Sequence, residues 1–110
     1  MLRELALLRL RFGGEEWAHV LHASSLLERG LYDEAFTQAM DAKRLDPHDE
    51  YNLAMMGEAR WLAGELASAE RYLLEALAVG PDLQRASENL AAVYLRAIEE
   101  VDAEMSADAR

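Results

Sequence analysis

The chain holds two prolines, Pro47 and Pro81, and they stand 34 residues apart. Proline lacks an amide hydrogen and pushes the residue before it out of the helical region, so each one is a forced break in a helical chain. The same interval aligns Glu16 with Glu50, Gly30 with Gly64, Ala35 with Ala69 and Ala42 with Ala76, and sets Leu45 opposite Val79. The identities are few, but most fall on small residues and helix breakers, where geometry leaves least choice. A fixed period of this length points to a stack of like units, each unable to bury its apolar face alone.

Each unit reads as a pair of helices. The first pair spans 16–29 and 32–45, with Gly30 between them and Asp46-Pro47 after them. The second spans 50–63 and 66–79, with Gly64 between and Gly80-Pro81 after. Glycine at these points suits the left-handed residue that ends many helices. The stretch 82–105 has no glycine or proline inside it and is predicted to be one continuous helix. Its apolar residues Leu90, Val93, Tyr94, Ala97 and Val101 keep spacings of three and four. No window alternates with period two, so no sheet is expected.

Two helix pairs in 34-residue phase, with these landmarks, resemble the tetratricopeptide repeat. The second unit, 50–83, carries Leu53, Met56, Gly57, Ala69, Leu73, Ala76 and Pro81 in the register of that family, and Arg60 where tyrosine is usual. The first, 16–49, keeps Ala23, Leu26, Ala35, Ala42 and Pro47 but places His19 and His22 at the first two apolar positions and Ala39 at an aromatic one. Leu90, Ala91 and Tyr94 match the opening of a third. The resemblance implies an all-α solenoid of antiparallel helix pairs with about six helices. These are an N-terminal helix at 1–14, the two repeats, and a capping helix at 84–106 followed by a frayed tail at 107–110.

Composition removes several function classes. Asp and Glu number 21 against 11 Lys and Arg, a net charge of −10. Such a chain is poorly suited to nucleic acid, whose affinity comes from cations neutralising phosphates, and to anionic membrane surfaces. There is no cysteine, which excludes disulfides, thiolate metal sites and cysteine nucleophiles. No run approaches a membrane span, and 1–12 lacks the clean apolar stretch of a secretion signal. The expectation is a cytoplasmic protein.

Chemistry is sparse. Gly13-Gly14 is not a phosphate loop, and no serine sits in a nucleophile elbow. Glu15-Glu16, Asp49-Glu50 and Asp82 stand at helix starts, where the helix dipole favours negative charge. His19 and His22, three residues apart on one helix face, could join Glu15 or Glu16 around a metal. Packing with a hydrogen bond explains them better. The expectation is no enzyme activity, no cofactor and no metal.

What remains is surface. In the tetratricopeptide family the first helices of successive repeats line a concave groove. Carried onto this chain, the groove positions include Trp17, Val20, Ser24, Leu27 and Glu28, then Tyr51, Glu58, Trp61 and Leu62, then Arg85, Leu95 and Arg96. Both tryptophans fall in this set, and aromatic residues are enriched at binding hot spots. The resemblance therefore implies a protein-interaction module. Its partner peptide or helix would dock across Trp17, Tyr51, Trp61 and Leu95, with Arg85 or Arg96 offered to an acidic group. The family's carboxylate clamp uses lysine and asparagine where this chain has Val20 and Ser24, so that specialised role is not implied. The apolar face of 1–12, led by Leu2, Leu5, Leu8 and Phe12, is a candidate for self-association, with a homodimer the simplest product. The alternative reading is a small acidic bacterial secretion chaperone of the same repeat type, acting as a dimer or with its client.

Overall fold

The computed structural model describes residues 14–108. Five helices follow one another: α1 (Gly14–Glu28), α2 (Tyr32–Leu45), α3 (Glu50–Leu62), α4 (Leu66–Val79) and α5 (Gln84–Asp108). No strand occurs among the described residues. The sequence predicts about six helices; the sixth, at 1–14, falls outside the described residues except for Gly14, which begins α1. Two predicted helices, 32–45 and 66–79, match to the residue. The others shift by one to three residues at their ends.

The helix ends show why the chain breaks where it does. At the end of α1 the Leu31 amide donates to the Leu26 carbonyl (2.9 Å) and the Gly30 amide to that of Leu27 (3.1 Å). At the end of α3 the Glu65 amide donates to the Arg60 carbonyl (2.9 Å) and the Gly64 amide to that of Trp61 (3.0 Å). These are the paired bonds of a Schellman ending, and both glycines take the positive φ it requires, 78° and 85°. The 34-residue offset therefore recurs bond for bond. It recurs again where the Asp46 amide meets the Ala42 carbonyl and the Gly80 amide that of Ala76. At the start of α3, Asp49 accepts from the Tyr51 amide at 2.8 Å and stands 3.4 Å from that of Asn52, satisfying donors that a helix start leaves orphaned.

Each helix packs on the next, and the three- and four-residue loops fold each neighbour back along its predecessor. The odd-numbered helices also touch one another, α1 with α3 and α3 with α5. The helices thus form two rows, with α3 in the middle. Alanines 23, 35, 39, 42, 54, 59, 69, 76 and 86 are buried to 1% exposure or less. Their small side chains let helix axes approach closely. One close approach is at Gly57 on α3, where an added Cβ would lie 2.6 Å from Cγ of Leu73 on α4 and 3.3 Å from the Ala69 carbonyl oxygen.

The buried residues fall in two clusters. One gathers Val20, Ala23 and Leu26 with Phe36, Met55 and Met56. The other gathers Leu53, Leu73, Ala86 and Val93. Tyr72 packs against both, its ring 5.5 Å from that of Phe36. Arg60 lays its guanidinium 3.7 Å from the Phe36 ring centroid and reaches Asp33 at 3.5 Å. The cation thus stacks on the face of the ring.

Candidate functional site

The row α1, α3, α5 carries one side-chain constellation drawn from all three helices. Ser24, Leu27 and Glu28 from α1, Glu58 and Leu62 from α3, and Arg85 from α5 line a pocket of about 180 Å³. All six belong to the groove positions expected from the sequence. Arg85 closes the pocket from the far side. Its Nε donates to Glu58 Oε2 at 2.9 Å, and a second guanidinium nitrogen contacts the same oxygen. Its guanidinium carbon also lies 5.9 Å from the centre of the Tyr51 ring. Both partners of the ion pair keep some exposure, 38% for Arg85 and 18% for Glu58, so water screens it. Its contribution to stability is about 1 kcal/mol at most. Its larger consequence is orientation, since it holds α5 against α3 at the pocket mouth. Glu28, by contrast, is exposed at the rim.

The other expected groove residues disperse. Val20 is fully buried in the first cluster. It fills the core under α2 and presents nothing to a partner. Trp17 and Tyr51 are half-buried against the first cluster, and Trp61 against the second. Trp61 sits ten residues beyond Tyr51, about 15 Å along α3. The tryptophans therefore flank the pocket and do not line it. Leu95 is exposed at 62% but lies ten residues, about 15 Å, beyond Arg85 on α5. Arg96 pairs with Glu100 at 3.5 Å. The self-association candidates Leu2, Leu5, Leu8 and Phe12 lie outside the described residues.

The histidines have separate fates. Nδ1 of His19 is 2.8 Å from Gln38 Oε1 on α2, which is the interhelical hydrogen bond expected for a packing histidine. His22 is exposed, although its position was expected to pack. One group of three ligating side chains occurs among the described residues, Glu16, Asp46 and Asp49, with oxygens within 4.8 Å of one another. Neither histidine belongs to it. Two of its members have structural work: Asp49 caps α3, and Glu16 accepts from Nδ2 of the buried Asn52 at 3.0 Å.

At the far end of α5 the sequence singled out Tyr94, Leu95 and Val101 but not the apolar residues between and beyond them. Tyr94, Leu95, Ile98, Val101 and Met105 are all exposed at 44% or more. Ile98 and Met105 were not among the residues assigned to its apolar face. Their four-three-four spacing with Tyr94 and Val101 was the available signal. No helix of the described residues is long and apolar enough to cross a membrane. Compared with known proteins, the sequence matches no family model and no curated protein.

Proposed function

We propose that this chain is a non-enzymatic protein-interaction module of the tetratricopeptide type, holding a peptide or helix of a partner protein along α1, α3 and α5. The observation that carries this reading is the pocket where Ser24, Leu27, Glu28, Glu58, Leu62 and Arg85 meet. The repeat type is supported by the 34-residue recurrence of both helix endings. The pocket's chemistry refines the partner. Arg85 is already engaged by Glu58, so an acidic ligand group would have to break that pair. Two carboxylates against one guanidinium suit a cationic side chain reaching Glu28 and Glu58, with apolar neighbours on Leu27 and Leu62. An amphipathic peptide bearing lysine or arginine fits both demands, and helix-in-groove docking is a common mode for such ligands.

The test is a fluorescence-anisotropy titration with two labelled amphipathic peptides that differ only in lysine or glutamate on the polar face. The lysine peptide binds and the glutamate peptide does not. Joint substitution of Glu28→Gln and Glu58→Gln weakens binding about tenfold or more, the scale of lost hydrogen bonds to charge. Joint substitution of Glu99→Gln and Glu104→Gln removes the same net charge elsewhere and changes binding by about twofold or less, since distant exposed charges are screened. Equal losses from both pairs would mean only bulk attraction to an acidic protein.

The secretion-chaperone reading is favoured by one observation, the apolar stripe left open on α5. Such a protein keeps apolar surface for a client or a second subunit.

A further inference from the structure

α5 has 25 residues and runs about 37 Å, while α4, on which it packs, has 14 and runs about 21 Å. Val93 is its last buried residue. From 98 to 107 every residue is exposed. This overhang is not polar all round. Tyr94, Ile98, Val101 and Met105 recur at spacings of four, three and four, exposed at 44, 58, 53 and 65%. That spacing is the seam along which two helices interlock. Tyr94, Ala97, Ile98, Val101 and Asp102 line an open hollow of about 410 Å³ beside it. A short helix without tertiary contacts is marginal in water, and a continuous apolar stripe is seldom left uncovered.

We propose that this seam docks a second copy of the chain, α5 against α5, antiparallel. Register supports this occupant. Reversal about the midpoint between residues 99 and 100 sets Tyr94 against Met105 of the other copy and Ile98 against Val101, so every layer is apolar. Charge favours the antiparallel orientation over the parallel one. Residues 97–107 carry Glu99, Glu100, Asp102 and Glu104 and no cation. A parallel pair would set each of these acids level with its own copy. In the antiparallel register Asp102 stands level with Ala97 of the other copy and Glu104 with Leu95, and only Glu99 and Glu100 stay level with one another near the two-fold. The area sets the strength: the four seam side chains expose on the order of 400 Å² per copy, hence about 800 Å² in all when wholly covered, the range of weak, transient contacts. An interface of that size gives a reversible dimer, not a permanent one.

The experiment is light scattering of the full chain over a wide concentration range. The mass rises from 12.3 kDa towards twice that value. The double variant Ile98→Asp, Val101→Asp dimerises at least tenfold more weakly, while the Glu28→Gln, Glu58→Gln variant keeps the wild-type mass curve. Orientation is read from single cysteines introduced into the cysteine-free chain. A mixture of Tyr94→Cys and Met105→Cys proteins forms a mixed disulfide dimer on oxidation, and Met105→Cys alone does not. This second readout stands even where the aspartate variant fails to fold. A monomer at every concentration overturns the proposal and leaves the seam to a different protein. A dimer indifferent to the aspartates also overturns it and moves the interface elsewhere, Leu2, Leu5, Leu8 and Phe12 being the next candidates. Efficient crosslinking of Met105→Cys to itself contradicts the antiparallel arrangement.

Discussion

The centre of α3 and the far half of α5 both carry large apolar side chains, and these meet opposite fates. Residues 52–57 of α3 are all buried, Asn52 included, because α1, α2, α4 and α5 surround that helix. Residues 98–107 of α5 include Ile98, Val101 and Met105 and are all exposed. The segments differ in charge, since 98–107 carries Glu99, Glu100, Asp102 and Glu104 and 52–57 none. What leaves Ile98, Val101 and Met105 exposed is the lack of the neighbouring helices that enclose α3. In a stacked array the interior units carry stability, and the terminal units keep an open face. Here the open face is where we place an interaction.

The largest test of that contrast is a matched pair of truncations. Leu73 on α4 is fully buried against α3, so Leu73→Ala costs about 2–5 kcal/mol in denaturant unfolding. Ile98→Ala, measured at a concentration low enough for the monomer, costs about 0.5 kcal/mol or less. Similar losses would erase the distinction. A smaller effect comes from Gly57→Ala. Alanine is the better helix former, yet its Cβ would press on Cγ of Leu73, which cannot swing away as a chain end could. The substitution lowers stability by about 1–3 kcal/mol, and a gain would mean that α3 and α4 sit less closely than described.

The smallest effect is at the edge between the two regions. Glu70 on α4 raises the Tyr94 ionisation above its usual 10.0, first by a hydrogen bond to the hydroxyl, then with partial desolvation, then by its own charge. A raised value means that the folded protein holds this proton more tightly than the unfolded chain. The contribution is present below about pH 10 and is lost as pH rises through the folded value. Glu70→Gln brings the Tyr94 titration, followed by NMR of labelled tyrosine, back down. An unchanged midpoint would show that α4 does not reach Tyr94.

Much of the fold was legible in the sequence because the determining residues act locally. Pro47, Pro81, Gly30 and Gly64 end or begin helices through their own backbone chemistry, and the 34-residue period follows from them. The residues of the pocket were legible in part. Ser24, Leu27, Glu28, Glu58, Leu62 and Arg85 converge because they share a helix row, and repeat spacing encodes that row. Val20 was misplaced because a small rotation of α1 turns a groove position into a core position, and periodicity does not resolve such a rotation. Leu95 is exposed but stands apart from the pocket, because position on a helix does not say how far that helix outruns its neighbours. His22 was expected to pack, but its exposure depends on surrounding helices and not on its own residue type. The engagement of Arg85 by Glu58 was not legible, since it depends on side-chain reach between helices 27 residues apart in sequence.

The contrast between a surrounded α3 and an overhanging α5 is tested most directly by residue-resolved amide hydrogen exchange in dilute, monomeric protein. Amides of 53–59 exchange only through near-global unfolding, and those of 98–107 exchange orders of magnitude faster by local fraying. Equal protection of the two segments in the monomer would contradict it, because α5 would then be held by contacts within the chain and its apolar stripe would have no need of a partner.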